Sequence, residues 1–223
     1  MALSPNFGAR RDGLRPELVV IHYTAMTDCA AAQQRLCDPQ AEVSAHYLID
    51  YDGQVIALVP EQARAWHAGA GEWRGRGDVN SRSIGIELAN NGAEPFPDSQ
   101  VTALEALLRA ILARWQLGPE AVIAHSDMAP GRKSDPGARF DWARLAWAGV
   151  SVWPEAGPEA PLRSFAASLV RFGYPRGADE QILLQAFRLR FRPQAHGPLG
   201  ATDARIAADL ARRFGVDGGD AGA

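Results

Sequence analysis

Three side chains that can bind a metal lie at or just beyond the ends of predicted strands. His22 follows the apolar run ELVVI, and His125 ends the run AVIAH. Asp135 comes ten residues after His125, in a stretch dense with Gly and Pro that can fold back. Two histidines and one carboxylate with an open fourth position form a recognised catalytic zinc set. Lone histidines at strand ends more often pack or hydrogen-bond, so the spacing alone is also compatible with a purely structural role.

The same Gly- and Pro-rich stretch contains Lys133, the only lysine of the chain. The sequence holds 23 lysines and arginines, and the other 22 are arginines. The ammonium group of lysine is compact and can approach a small oxyanion, whereas a guanidinium is broad and suited to bidentate pairing. Lys133 is therefore a candidate for a catalytic role, although a single surviving lysine is also compatible with chance.

Apolar runs and helical periods alternate through the first two thirds of the chain, which predicts an α/β domain with a mixed central sheet flanked by helices. Buried strands are predicted at 17–23, 83–91 and 121–125. The stretch 45–60 alternates around an Asp-Gly pair, which predicts a β-hairpin. The stretch 98–118 predicts a helix with Asp98 as its N-cap and a glycine stop.

The pattern changes after Trp147. A Pro- and Gly-rich linker is predicted at 151–160, and three short amphipathic segments follow it. These segments predict a small three-helix bundle domain. We therefore divide the chain into a first domain at 1–150, the linker, and a helical module at 161–215.

Two other segments lead to simpler expectations. Residues 61–83 are rich in Gly and Arg and have no period, which predicts a long surface loop.

Cys29 and Cys37 lie on a predicted helix capped by Asp28. Eight residues of helix span about 12 Å, beyond the reach of a disulfide, so we expect two small core residues without a bridge.

The overall composition excludes several functions. The net charge is -3 and the cations are not clustered, which argues against nucleic acid as a partner. No apolar run approaches the ~20 residues of a membrane span. The first 17 residues contain no apolar signal region, so we expect a cytoplasmic protein if the chain is complete, and a periplasmic or cell envelope protein if a leader was removed. The oligomeric state is not visible in the sequence.

Several motifs together resemble the zinc-dependent N-acetylmuramoyl-L-alanine amidases. They are HYTAM after the first strand, WHAG at 66–69, SIGIEL, and AHSDMAPGRKSDPG followed by FDW. The resemblance covers about residues 4–147. SPNFGARR and Tyr23 are more similar to the two-domain, AmiD-like branch than to the short AmpD-like enzymes. ILLQAFRLRFRP resembles a three-helix peptidoglycan-binding module, although Arg188 stands where that pattern has Gln.

The resemblance implies a role for each matching residue. His22, His125 and Asp135 would bind one Zn²⁺ ion. Glu87 in SIGIEL would be the catalytic carboxylate, and Lys133 would assist near the metal. The reaction would be hydrolysis of the amide between N-acetylmuramic acid and L-alanine, in cell wall degradation, remodelling or muropeptide recycling.

Glu87 and Lys133 suit this chemistry on physical grounds. A carboxylate beside the metal can take a proton from water and later deliver it to the departing amine. Burial on an apolar strand would raise the pKa of Glu87, whereas a solvent-facing Glu87 is the alternative from the pattern alone. A cation aimed at the carbonyl oxygen stabilises the tetrahedral state by about 2.7–4 kcal/mol.

Four further residues have weaker assignments. Trp66 and His67 are candidates for substrate binding, because aromatic faces suit sugar rings, with packing as the alternative for Trp66. Arg132 is a third candidate for substrate contact. His46 is expected in the core or behind a metal ligand.

The alternative to an enzyme is a protein that recognises peptidoglycan without cutting it. The enzyme is favoured because the three ligand positions, Glu87 and Lys133 are all present. The substrate is expected to be either polymeric peptidoglycan, which the helical module favours, or soluble anhydro-muropeptides, which the missing signal peptide favours.

Overall fold

The structure is a computed structural model that describes residues 4–155 and 157–216. The strands are β1 (Phe7–Gly8), β2 (Leu18–Tyr23), β3 (Tyr47–Ile49), β4 (Val55–Ala57), β5 (Arg64–Ala65), β6 (Ser83–Leu88) and β7 (Val122–Ala124). The α-helices are α1 (Cys29–Cys37), α2 (Val79–Arg82), α3 (Asp98–Trp115), α4 (His125–Met128), α5 (Trp142–Trp147), α6 (Phe165–Phe172), α7 (Glu180–Phe191) and α8 (Ala201–Phe214). Short 3-10 helices lie at Arg11–Gly13, Pro119–Ala121 and Leu162–Ser164.

Five strands form the central sheet in the order β4-β3-β6-β2-β7. β3, β6, β2 and β7 are parallel to one another, and β4 is antiparallel to β3, which confirms the predicted mixed sheet. The predicted hairpin is also confirmed as β3 and β4, and Gly53 at its turn has a φ of 91°, a conformation that favours glycine. β1 and β5 form a separate antiparallel ribbon.

The two faces of the sheet are covered by different helices. Val19 and Ile21 of β2 pack in one core with α3, whereas Leu18 and Val20 pack in a second core with the C-terminal helices. Because side chains alternate along a strand, His22 lies on the same face as Val20. Burial of both faces explains why β2 is an unbroken apolar run.

The helix boundaries agree with the predictions to within a few residues. Asp28 caps α1 by accepting from Ala30 N at 2.8 Å, and both cysteines are free, as expected. Asp98 is the first residue of α3 rather than its N-cap, and α3 ends before a left-handed Gln116 rather than at a glycine. No helix in the described part of the chain is both long and apolar enough to span a bilayer.

The three predicted C-terminal helices are present as α6, α7 and α8. They contribute Phe165, Phe172 and Phe187 to a core that also contains Trp73 and Ile123 of the first part of the chain. The division of the chain at residues 150 and 160 stays a prediction. Residues 1–3 of the predicted first domain and residue 156 of the predicted linker lie outside the described residues.

The segment 61–83 is not the surface loop that its Gly and Arg content predicted. It contains β5 and α2, and Trp73 is fully buried. The buried Arg82 side chain donates to Trp73 O at 3.3 Å and to Arg76 O at 2.6 Å. These bonds satisfy backbone carbonyl groups that regular secondary structure would otherwise pair. The prediction was wrong because bonds from side chain to backbone leave no periodic pattern in the sequence.

Candidate active site

The three predicted metal ligands meet at one edge of the central sheet. His22 Nδ1 lies 2.9 Å from His125 Nδ1 and 3.0 Å from Asp135 Oδ2. His125 Nδ1 lies 3.0 Å from the same Asp135 oxygen. Because β2 and β7 are parallel neighbours, the end of β2 and the residue after β7 bring both imidazoles to one place. The three donor atoms are close enough for one ion to contact them all.

Asp135 reaches the histidines because its loop folds back. Ser126 N donates to Asp135 O at 3.1 Å, and Lys133 N donates to Ala129 O at 3.0 Å. Gly131 has a φ of 76°, in the left-handed region that favours glycine. The glycine between His125 and Lys133 is therefore required by the turn.

The donor set fits zinc. Two imidazole nitrogens and one carboxylate oxygen are preferred zinc ligands, and three protein ligands leave a fourth position open. Burial, then the charge of His125, lowers the pKa of His22 to about 4, which favours the neutral imidazole that a metal requires. Burial raises the pKa of Asp135, but the two adjacent imidazoles outweigh it and hold that pKa well below its usual value.

Glu87 lies beside this centre on β6, paired in register with His22 on β2. Its Oε2 atom is buried and has no hydrogen-bond partner among the described residues. Burial, followed by the negative charge of Asp135, raises the pKa of Glu87 to about 8, and Lys133 opposes this shift. A carboxyl group that can change its protonation near neutral pH suits proton transfer.

Lys133 and Arg132 both border the site, but they differ in their partners. Lys133 is exposed and lines the same cavity as Glu87, and its charge lowers the pKa of both Glu87 and His22. Arg132 donates to Ala68 O at 2.7 Å and also to Ala70 O. The Arg132 guanidinium therefore ties its own loop to the segment after Trp66, and its contact with substrate stays a prediction.

The centre opens into a cavity of ≈ 380 Å³, within the usual range for small-molecule sites. Trp66 is half-buried and lines this cavity together with Tyr23, Met26 and Arg35. A role of Trp66 in binding substrate stays a prediction.

His67 also lines this cavity, but it lies against His22 and is largely enclosed, and its role in binding substrate stays a prediction. It is 9% exposed, and its Nδ1 lies 3.0 Å from His22 Nε2 while its Nε2 lies 3.1 Å from Ser83 Oγ. Both ring nitrogens are thus engaged within the protein. His46 is fully buried, as expected for a core histidine, and its Nδ1 accepts from Gly85 N at 2.9 Å.

Two residues near the site, Tyr174 and Arg190, were missed by sequence reasoning. Asp127, two residues after His125, is fully buried and accepts from Tyr174 Oη at 2.5 Å and from Arg190 Nη1 at 2.5 Å. It also accepts from Ala124 N at 2.9 Å. Helix α7 therefore contacts α4, which carries the predicted metal ligand His125. A buried arginine within an Arg-rich helix gives no signal in the sequence.

Comparison with known proteins shows which family the chain is similar to. A family model described as N-acetylmuramoyl-L-alanine amidase (Amidase_2) matches residues 12–138. The chain is 38% identical over 237 residues to N-acetylmuramoyl-L-alanine amidase AmiD of Escherichia coli (strain K12), which covers 91% of this chain and 85% of that protein. It is 37% identical over 159 residues to 1,6-anhydro-N-acetylmuramyl-L-alanine amidase AmpD of the same strain, which covers 64% of this chain and 87% of AmpD. The solved complex of AmiD from E. coli with anhydro-N-acetylmuramic acid-L-Ala-D-gamma-Glu-L-Lys matches with a TM-score of 0.83 at 36% identity and covers 93% of each chain.

Proposed function

Since the chain belongs to the N-acetylmuramoyl-L-alanine amidase family, we propose that His22, His125 and Asp135 hold the zinc ion that this enzyme uses. The enzyme hydrolyses the amide between N-acetylmuramic acid and L-alanine. The observation that carries the proposal is the meeting of three donor atoms within 3.0 Å of one another, beside a half-buried carboxylate whose Oε2 is buried and has no hydrogen-bond partner among the described residues.

Glu87 is the proton carrier of the proposed reaction. Zinc, when bound, supplies Lewis acidity that polarises an amide carbonyl and acidifies water. Glu87 accepts the proton of the attacking water and then gives it to the departing amine nitrogen, which would otherwise be a poor leaving group. Its unpaired Oε2 is available for this purpose because no described protein group occupies it.

Lys133 stabilises the charge that develops on the carbonyl oxygen. Its ammonium group lines the cavity next to Asp135, on a loop that is fixed by backbone hydrogen bonds. A compact cation can approach a single oxygen in a crowded site, whereas a guanidinium would require more room.

Removal of the metal tests the zinc proposal. Treatment with a chelator should abolish the release of peptides that begin with L-alanine, and added Zn²⁺ should restore it, as measured by mass spectrometry of the products. Mg²⁺ is the control ion and should not restore activity, because it prefers oxygen ligands. Activity that persists in verified metal-free protein would contradict the proposal.

The form of the substrate is a further part of the proposal. The AmiD complex was solved with an anhydro-muropeptide, and we propose this class as the substrate here. Mass spectrometry should compare products from anhydro-muropeptides and from intact sacculi. Release from muropeptides alone would support a recycling enzyme of the cytoplasm. Release from sacculi would support a cell envelope enzyme and peptidoglycan binding by residues 161–215.

Replacement of Lys133 by Arg should lower kcat by about 10²- to 10³-fold, the usual loss of one oxyanion donor. Zinc affinity should change much less, because Lys133 is not a ligand. Arg139→Lys, the reverse exchange at an exposed position of the same loop, is the matched control. An unchanged rate in Lys133→Arg would show that Lys133 has no catalytic role.

A further inference from the structure

A chain of hydrogen bonds behind the metal-binding histidines begins at Ser83. Ser83 Oγ lies 2.5 Å from Val79 O and 3.1 Å from His67 Nε2. A carbonyl oxygen can only accept, so the hydroxyl hydrogen of Ser83 points to Val79. Ser83 Oγ must therefore accept from His67, which places the hydrogen of His67 on Nε2.

The position of the hydrogen on His67 determines which nitrogen of His22 carries a hydrogen. A neutral imidazole carries one N–H, so His67 Nδ1 is left with a lone pair. His22 Nε2, at 3.0 Å from that lone pair, must then donate to it. His22 Nδ1 is left with a lone pair that faces the Asp135 carboxylate at 3.0 Å.

His125 reaches the same state by a separate route. Its Nε2 lies 3.0 Å from Ala68 O and must donate to it, which leaves a lone pair on Nδ1. Ala68 directly follows His67, so two consecutive residues orient both imidazoles. Asn80 Oδ1 fixes this dipeptide by accepting from His67 N at 3.0 Å and from Ala68 N at 2.8 Å.

Strand β6 leaves room for the imidazole ring of His67 because it has a glycine, Gly85, at the point of contact. A Cβ atom on Gly85 would lie 2.4 Å from His67 Cγ, closer than atoms can approach. The glycine in SIGIEL is therefore needed for His67 to reach His22. Ser83 and Gly85 lie on the same face of β6 as Glu87, because side chains alternate along a strand.

We propose that His67 and Ser83 are positioning residues that hold His22 as the Nε2–H tautomer, so that both histidines present Nδ1 lone pairs before a metal arrives. Three acceptor atoms then face one another within 3.0 Å, an arrangement that favours a cation between them. This inference rests on the proposed zinc role of His22. Loss of such supporting hydrogen bonds typically lowers metal affinity about 10- to 100-fold.

Zinc affinity of His67 variants tests the proposal. His67→Phe keeps a ring of similar shape but offers no acceptor to His22, and should lower zinc affinity about 10- to 100-fold. His67→Asn keeps a polar acceptor near the Nδ1 position and should recover part of that loss. Gln100→Leu changes another fully buried polar side chain, one that bonds to Ile49 O and Ala89 O, and should leave zinc affinity unchanged. The full-length chain would be titrated with Zn²⁺ against a chromophoric chelator. Equal losses in all three variants would indicate a general packing effect and overturn the proposal.

The wild-type protein provides a second test that needs no variant and no substrate. Two-bond ¹H–¹⁵N NMR spectra of the imidazoles report which nitrogen carries the hydrogen. The metal-free and zinc-loaded proteins should both show hydrogen on Nε2 of His22 and of His67. Hydrogen on Nδ1 of His22 in the metal-free protein would overturn the proposal even if the His67 variants fail to fold. Because no hydrolysis is measured, failure here is distinguishable from failure of the proposed amidase mechanism.

Discussion

Replacement of Glu87 by Gln is expected to lower kcat by about 10²- to 10⁴-fold, the usual contribution of a general acid–base group. The amide has nearly the shape of the carboxyl group but cannot take up the proton of water. Zinc affinity should be retained, because Glu87 is not one of the three converging ligands. Steady-state kinetics with a defined anhydro-muropeptide, together with zinc titration, would separate these effects.

The same variant should change how stability depends on pH in the metal-free protein. Burial raises the pKa of Glu87 from its ordinary value of 4.5 to about 8 in the folded state. Between these values the folded state holds a proton that the unfolded state has lost, so Glu87 reduces stability as pH rises. The slope approaches about 1.4 kcal/mol per pH unit. Glu87→Gln should remove this slope, and the metal-free variant should exceed the wild type in stability at pH near 8.

Urea unfolding of the metal-free proteins between pH 5 and pH 8 would measure this difference. Glu94→Gln, the same chemical change at an exposed position, is the control and should leave both kcat and the pH slope unchanged. Parallel stability curves for the wild type and Glu87→Gln would contradict the assignment of a buried, proton-holding carboxyl group.

Replacement of Arg190 by Met should destabilise the protein by about 3–5 kcal/mol, because it leaves a buried carboxylate without its partner. Asp127 and Arg190 are both fully buried, and their atoms approach to 2.5 Å. Arg190 also donates to Val122 O at 3.0 Å and stacks over Trp142 at 4.2 Å. The Arg190 side chain therefore joins α7 to β7 and α4, beside the proposed zinc ligand His125.

A double-mutant cycle would isolate the effect of the buried charge. Asp127→Asn combined with Arg190→Met should be more stable than Arg190→Met alone, since no unpaired charge remains. Arg109→Met removes an exposed arginine 3.9 Å from Glu105 and should cost only about 0–1 kcal/mol. Similar losses for Arg190→Met and Arg109→Met in urea unfolding would contradict a structural role for the buried pair.

Local signals in the sequence predicted most of the elements that build the site. The apolar run of β2, the Asp-Gly turn of the hairpin and the helical period of α3 each arise from neighbours within a few residues. The three candidate ligand positions and Glu87 were also proposed from the sequence, and the structure brings them together. For these residues, the family motifs supported a catalytic role that the spacing alone did not decide.

The sequence by itself determined which residues end the strands of the central sheet, because strand periodicity and turn residues act over short distances. The tertiary structure decided what surrounds those residues. His67 contacts His22 across 45 positions, and Arg190 contacts Asp127 across 63. Such contacts join polar groups inside the protein, and neither their partners nor their hydrogen-bond directions follow any period along the chain. The contacts of His67, Ser83 and Arg190 therefore became visible only when folding brought these residues behind the predicted metal ligands.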